Sequence, residues 1–171
     1  MQENEGQAGV RDASGKQVGS CRIVDVPGHD RLRHKLDAQL SDARCIVFVL
    51  DAVEITPHKT EAAEELFEVL THPAVTRRRV PVLLACNKMD QELEAHSPEF
   101  IERTLQKQLD AMRKTRGALS PEAAAKAAVL GKDTSKALTL SGLRNPVTVC
   151  PISATTGDVA GVHTFLRASM L

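Results

Sequence analysis

The sequence lacks several features that would place it directly in a large class of proteins. It contains no Trp or Tyr and only four Phe among 171 residues, which argues against stacking of single-stranded bases on aromatic side chains. Its 22 basic residues balance 22 acidic ones, so no overall charge draws it to nucleic acid or to an anionic membrane. No apolar run approaches the ~18 residues of a membrane helix, and residues 1–5 do not resemble a signal peptide. As written, we expect a soluble chain that faces the cytosol.

Metal-binding and disulfide patterns are also missing. No two cysteines form a CxxC pair, and the six histidines contain no HExxH spacing. Each cysteine lies in or beside an apolar, strand-like run, which is typical of buried thiols in a reducing compartment. The four are Cys21, Cys45, Cys86 and Cys150.

From residue 19 onward, short apolar runs alternate with helical patterns. Leucines at 32, 36 and 40 mark one helical face, Thr56-Pro57 predicts a helix start, and Ser97-Pro98 predicts another. This alternation predicts a three-layer α/β domain with a mainly parallel sheet. The predicted strands are 19–24, 45–50, 80–86 and 147–152.

The remaining segments have weaker patterns. Residues 1–18 are polar and glycine-rich, which predicts a flexible lead-in, and 117–143 predict an insertion with a short helix near 122–129. Two basic runs, 77–79 and 113–116, are interpreted as a loop before a strand and as the solvated end of a helix.

The most informative stretch is Asn87-Lys88-Met89-Asp90, which follows a strand predicted to be buried on both faces. Open α/β sheets bind ligands at the carboxyl ends of their strands. The Asp90 carboxylate can accept from the ring N–H and the exocyclic amino group of guanine, whereas adenine carries a lone pair at that ring nitrogen. Asn87 can offer its amide to the other edge of the base, and the Lys88 stem can lie along it. The tetrapeptide therefore favours guanine.

Three short motifs follow predicted strands in the order DxxG, NKxD and SA, beginning at Asp25, Asn87 and Ser153. Each is weak alone, but the ordered set over residues 20–171 resembles the GTPase domain of the Ras-like superfamily. The resemblance implies a Ras-like P-loop GTPase fold with GTP and Mg²⁺ as ligands. It implies that Asn87, Lys88 and Asp90 bind the base. It also implies that the Ala154 N–H meets the guanine oxygen and that Ser153 braces the loop.

The same resemblance gives roles to the first motif. Asp25 would lie in the second shell of Mg²⁺, the Gly28 N–H would contact the γ-phosphate, and His29 would position a hydrolytic water. Thr155 stands where many members carry a Lys that stacks on the base.

Within the superfamily, several segments resemble in sequence the β subunit of the signal recognition particle receptor, a relative of Arf and Sar GTPases. The segments are DVPGH at 25–29, the apolar run ending at Asp51, the run ending at Lys88, and Arg113-Lys114-Thr115-Arg116 before the insertion. The resemblance implies GTP binding, attachment of the receptor α subunit at the cytosolic face of the endoplasmic reticulum membrane, and no direct nucleic-acid binding. Membrane attachment would run through an anchor that precedes this sequence.

A phosphate-binding loop is the large omission. GxxxxGK[ST] after a buried strand supplies backbone N–H groups and a Lys to phosphates, and no segment fits. Between Gly9 and Lys16 the glycines are one residue too far apart, Gln17 replaces the hydroxyl residue, and no apolar strand precedes them. We therefore expect an incomplete domain over 19–171 that lacks the first strands and is truncated relative to a longer protein. The strands ending at Asp25 and Asp51 must then pair directly or leave unpaired edges.

Two other functions stay open. The chain could be a nucleotide-free interaction module on a degenerate GTPase fold, with residues 28–40 as its contact surface. It could also be an Arf- or Sar-like trafficking GTPase, which keeps the fold and changes the partner.

Overall fold

The structure, a computed structural model, describes residues 4–11, 17–26 and 33–170. Gly28 and His29 lie outside the described residues. The strands are β1 (Asn4–Arg11), β2 (Gln17–Asp25), β3 (Ile46–Asp51), β4 (Val82–Asn87) and β5 (Val147–Pro151). The helices are α1 (Arg33–Asp42), α2 (Ile55–Thr71), α3 (Pro73–Arg78), α4 (Pro98–Arg116), α5 (Pro121–Ala127) and α6 (Ala160–Met170).

The predicted apolar runs form a parallel sheet in the order β3-β4-β5. Ile46 pairs with Val82, which pairs with Val147, so the three strands begin at one edge and end at the other. All residues of β4 from Val82 to Cys86 are buried, as a central strand covered on both faces requires. The α/β expectation is therefore confirmed, and all carboxyl ends lie at one edge.

Helices cover both faces of this sheet. The main core joins α2 and α4 to one face through buried side chains such as Phe67, Leu84 and Leu105. On the other face α6 lies so close to β5 that a Cβ on Gly161 would be 2.8 Å from Cys150 Sγ. Glycine allows this approach because it carries no side chain.

Strands lie within residues 1–18, the segment expected to be a flexible lead-in. Residues 4–11 form β1, which pairs antiparallel with β2, and Gly9 faces Ser20 in this ladder. Pairing with β2 satisfies the backbone groups of β1 that face it, so a strand forms without the apolar alternation that predicts one. Gly9 consequently lies within a strand.

β2 and β3 lie in different sheets. Within the described ranges, β3 has no strand partner on the side away from β4. Val49 of β3 is 59% exposed and Ile23 of β2 is 45% exposed. Of the two alternatives expected for the strands ending at Asp25 and Asp51, the structure has the unpaired edges.

Two local expectations need correction. Helix α2 begins at Ile55 and not after Thr56. Its N-cap is Glu54, with no side-chain cap, and the Asp51 carboxylate accepts from the N–H groups of Val53 and Glu54 just ahead of the helix, at 3.0 and 3.2 Å. The predicted start of α4 is confirmed, since the Ser97 hydroxyl accepts from the Phe100 N–H at 3.3 Å.

The second correction concerns Arg113, expected at a solvated helix end but only 4% exposed. It forms an ion pair with Asp110, and its guanidinium donates to the Lys136 carbonyl at 2.7 Å and the Gly131 carbonyl at 3.5 Å. The helix end therefore holds the insertion that follows it. A short helix in this insertion is confirmed as α5.

Candidate functional site

The predicted base-binding residues meet at the carboxyl edge of the parallel sheet. Asp51 ends β3 and pairs in register with Asn87, which ends β4, and Ser153 follows β5. Backbone hydrogen bonds from Met89 N to Ile152 O (3.1 Å) and from Ala52 N to Asn87 O (3.0 Å) join the three segments. The sheet thus brings together residues that are far apart in sequence.

Asn87 and Ala154 bond directly. The Ala154 N–H donates to Asn87 Oδ1 at 2.9 Å, which fixes the amide so that its NH₂ group is the end left for a further acceptor. The resemblance gives this same N–H to the guanine oxygen. In the structure it is already donated to Asn87, so a base would have to share or displace that bond.

Asp90 is held by the loop after β5. The Ser153 hydroxyl donates to Asp90 Oδ1 at 2.6 Å, and the same hydroxyl oxygen accepts from the Thr156 N–H at 3.2 Å. Ser153 is buried, whereas Asp90 is exposed. One carboxylate oxygen is therefore braced and keeps a second lone pair, so both oxygens can accept from a parallel donor pair such as that of guanine.

Lys88 has a left-handed backbone, with φ 72°, and its ammonium lies 2.6 Å from Asp51 Oδ2. The hydrogen bond and charge of Asp51 raise the pKa of Lys88. Partial burial works to raise the pKa of Asp51, but the Lys88 ammonium and the Glu54 and Val53 N–H groups outweigh it, so the net shift is downward. We call Asn87–Asp90 the guanine-type loop, and the ion pair ties it to the end of the neighbouring strand.

The sequence motifs do not predict Asp51 as part of this site. Its position carries a signal, because an acid directly after a buried parallel strand lies at the same edge as the motif of the next strand.

The first motif is not joined to this cluster. Asp25 ends β2 in the separate antiparallel pair and is exposed. Thr155 is also exposed, on the loop after β5. Over residues 4–11, 17–26 and 33–170, no group of three His, Cys, Asp or Glu side chains is arranged to hold a metal ion. Within these ranges the side chains therefore do not fit Mg²⁺.

Comparison with known proteins identifies the family. The family model described as signal recognition particle receptor beta subunit matches residues 7–146. The chain belongs to the signal recognition particle receptor beta subunit family. The signal recognition particle receptor subunit beta of Dictyostelium discoideum is 35% identical over 96 residues, which cover 56% of this chain and 33% of that protein. The chain thus spans about a third of the length of this curated relative.

Solved structures agree with the family. The mammalian SRP receptor superposes with a TM-score of 0.82 at 28% identity, and the match covers 99% of this chain and 83% of that one. The SRb-GTP/SRX complex from Chaetomium thermophilum has the same fold, with a TM-score of 0.64 at 20% identity over 97% of this chain and 73% of that one. The resemblance to an SRP-receptor-type small GTPase and the expected Ras-like fold are confirmed. Within the described part of the chain, no helix combines the length and apolarity that a membrane crossing needs.

Proposed function

We propose that this chain provides the guanine-reading half of a GTP-binding domain of the SRP receptor beta type. The contact set of Asn87 with Ala154 and of Asp90 with Ser153 carries the proposal, because it fixes an amide and a carboxylate side by side. Residues from two different strand ends therefore present one recognition surface.

The roles follow from hydrogen-bonding capacity. Asp90 accepts from the ring N–H and the amino group of guanine, and Asn87 donates from its NH₂ group. The Lys88 stem, anchored by Asp51, lies along the base. The Ala154 N–H reaches the guanine oxygen only by sharing its hydrogen bond with Asn87 Oδ1. When GTP is bound, these residues contact its base. They do not contact its phosphates.

The part of the GTP site that binds phosphate belongs to a segment outside this sequence. No GxxxxGK[ST] motif occurs in the 171 residues. The unpaired side of β3, with Val49 59% exposed, suits one more strand buried on both faces, placed between β3 and β2. We infer that such a strand and its phosphate loop complete the domain in a longer protein. Asp25, Gly28 and His29 take up Mg²⁺, phosphate and water roles only in that completed form.

The complete protein holds the SRP receptor α subunit at the cytosolic face of the endoplasmic reticulum membrane. Family membership and the likeness to the mammalian SRP receptor support this partner and location. Membrane attachment then runs through an anchor outside the sequence, and the protein contacts no nucleic acid directly.

A titration with nucleosides tests base recognition without phosphates. In the ¹⁵N-labelled chain, we expect guanosine to shift the amide signals of Asn87–Asp90 and Ser153–Ala154, and adenosine to leave them unchanged. Asp90→Ala should remove the guanosine response, whereas Asp133→Ala, on the exposed insertion, should preserve it. Equal shifts with both nucleosides in the unaltered chain would contradict guanine selectivity.

A second function is favoured by one specific observation. Part of the loop is paired without a ligand, since Lys88 pairs with Asp51 and the Ala154 N–H pairs with Asn87. A loop held by its own contacts suits a nucleotide-free interaction module of the same fold. A well-folded chain with no guanosine response and a stable complex with the receptor α subunit would select this second function.

A further inference from the structure

Five arginines gather at the edge of the parallel sheet opposite the guanine-type loop. They lie in the segments that precede β3, β4 and β5, namely 43–45, 72–81 and 141–146, which contain no Asp or Glu. We call this set the basic pole; its members are Arg44, Arg77, Arg78, Arg79 and Arg144. Because the chain has a net charge of zero, composition conceals this asymmetry.

Hydrogen bonds hold the three segments together. The Asn145 side-chain amide donates to the carbonyls of Val75 and Val80, each at 2.9 Å, so the residue next to Arg144 is tied to both ends of the 77–79 run. Arg78 Nη1 donates to the Ser41 carbonyl at 2.7 Å, which joins this run to the end of α1, just before Arg44. The basic pole is therefore a built surface and not a chance projection of separate loops.

The charges of the pole are exposed and uncompensated. All five arginines are exposed, and within the described ranges none forms an ion pair. Asp42, at the end of α1, is exposed beside the first segment, and Asp37 pairs with His72 at 2.9 Å. Two carboxylates, one of them bonded to His72, beside five guanidinium groups leave an excess of positive charge.

Ordinary helix stabilisation explains only part of the pole. Arg77 and Arg78 lie in the last turn of α3, where positive charge suits the helix dipole. Arg144 precedes a strand and lies outside α3, so interaction with the α3 dipole does not explain its positive charge. Arg79 has a left-handed backbone with φ 52°, a conformation that glycine adopts without strain at helix ends. An arginine held there at a conformational cost points to a use for its charge.

We propose that the basic pole docks on an anionic lipid surface. Neighbouring strands lie ~4.8 Å apart, so the pole spans about 10 Å across three strand ends, a row that can meet several lipid phosphates at once. The three segments contain no Phe, Tyr or Trp, and the amide of Asn145 is buried and already bonded. The pole therefore offers charge without groups that stack on bases or read them, which favours lipid over RNA.

The opposite edge stays accessible in this docking. The pole lies at the amino ends of the strands and the guanine-type loop at their carboxyl ends, about 20 Å away for a six-residue strand at ~3.3 Å per residue. Lipid docking is thus independent of whether the chain binds guanine.

Vesicle co-sedimentation of the full chain tests the proposal. We expect binding to phosphatidylcholine vesicles that contain phosphatidylserine, none to phosphatidylcholine alone, and release when salt rises from ~0.05 M to ~0.5 M. Each guanidinium near an anionic surface strengthens binding roughly fivefold, so R77Q/R79Q/R144Q should weaken it by about a hundredfold. The matched control R103Q/K107Q/K132Q removes the same charge from exposed residues elsewhere and should bind like the unaltered chain.

Several outcomes would overturn the proposal. They are equal binding to both kinds of vesicle, no binding to either, or equal loss in the pole and control variants. The pole would be assigned to nucleic acid instead if duplex RNA displaced the chain from vesicles and bound it more tightly. That binding would have to depend in the same way on Arg77, Arg79 and Arg144. If the triple variant melts below the unaltered chain, the single variant R144Q carries the test, with an expected loss of roughly fivefold.

Discussion

At the scale of single residues, Asp51 has the least obvious role. One carboxylate oxygen accepts from two N–H groups just ahead of α2, and the other binds the Lys88 ammonium. The motif around Lys88 could be read from sequence because its side chains are contiguous. Asp51 could not be assigned that way, because its partner is 37 positions further along the chain and reaches it only through the register of β3 and β4.

Asp51→Asn isolates the ion pair. Asparagine keeps an oxygen acceptor for the Val53 and Glu54 N–H groups but lacks the charge that raises the pKa of Lys88. We expect the pKa of Lys88, followed by NMR of its side-chain methylene next to the ammonium, to fall toward the ordinary value of about 10.4. Asp133→Asn should leave it unchanged. A Lys88 pKa that is equal in both variants would show that Asp51 does not position this side chain.

At the scale of elements, the sequence predicted four strands and most helices because their apolar periods are strong. β1 and α3 were not predicted. β1 is polar and glycine-rich and depends on pairing with β2, while α3 has six residues, too few to show a helical period. The burial of Arg113 was also unpredictable, since it depends on carbonyls of the insertion that fold back onto α4.

Arg113→Met should loosen the insertion. The carbonyls of Gly131 and Lys136 lose their donor, while Asp110 keeps Lys114 at 2.7 Å. We expect a loss of about 1–3 kcal/mol in the free energy of unfolding and faster amide hydrogen exchange in residues 131–143. Lys114→Met, which removes the half-exposed partner of the same carboxylate, should cost less than about 1 kcal/mol. Equal effects of the two substitutions would refute the anchoring role of Arg113.

At the scale of the whole molecule, charge pairing sets the pH range of stability. Burial works to raise the pKa of Glu68 and of Asp110, but their hydrogen bonds and ion pairs with Lys126 and Arg116, and with Lys114 and Arg113, lower both. These folded-state values lie below the ordinary 4.5 and 3.8, so the unfolded chain binds more protons as the pH falls. Burial raises the pKa of Cys86 to about 12, so the unfolded chain loses a proton first as the pH rises above 9.0.

Stability should therefore be greatest between about pH 5 and pH 9. It should fall below about pH 4.5, as the carboxylates protonate, and fall again above about pH 9, as the unfolded Cys86 ionises. Urea unfolding at a series of pH values measures this directly. Cys86→Ala should remove part of the alkaline loss, and stability that rises steadily from pH 4 to pH 2 would contradict the ion pairs.

We propose that this chain recognises guanine and lacks the groups that bind phosphate. Family and fold could be predicted from motifs in the sequence, whereas only the structure shows that one side of β3 has no strand partner within the described ranges. The most direct measurement compares the dissociation constants of GTP and guanosine for the 171-residue chain by the same NMR titration. We predict weak binding of both, with GTP no more than about tenfold tighter, because a tenfold difference is only ~1.4 kcal/mol and a phosphate loop would contribute far more. Micromolar affinity for GTP together with weak binding of guanosine would contradict the account.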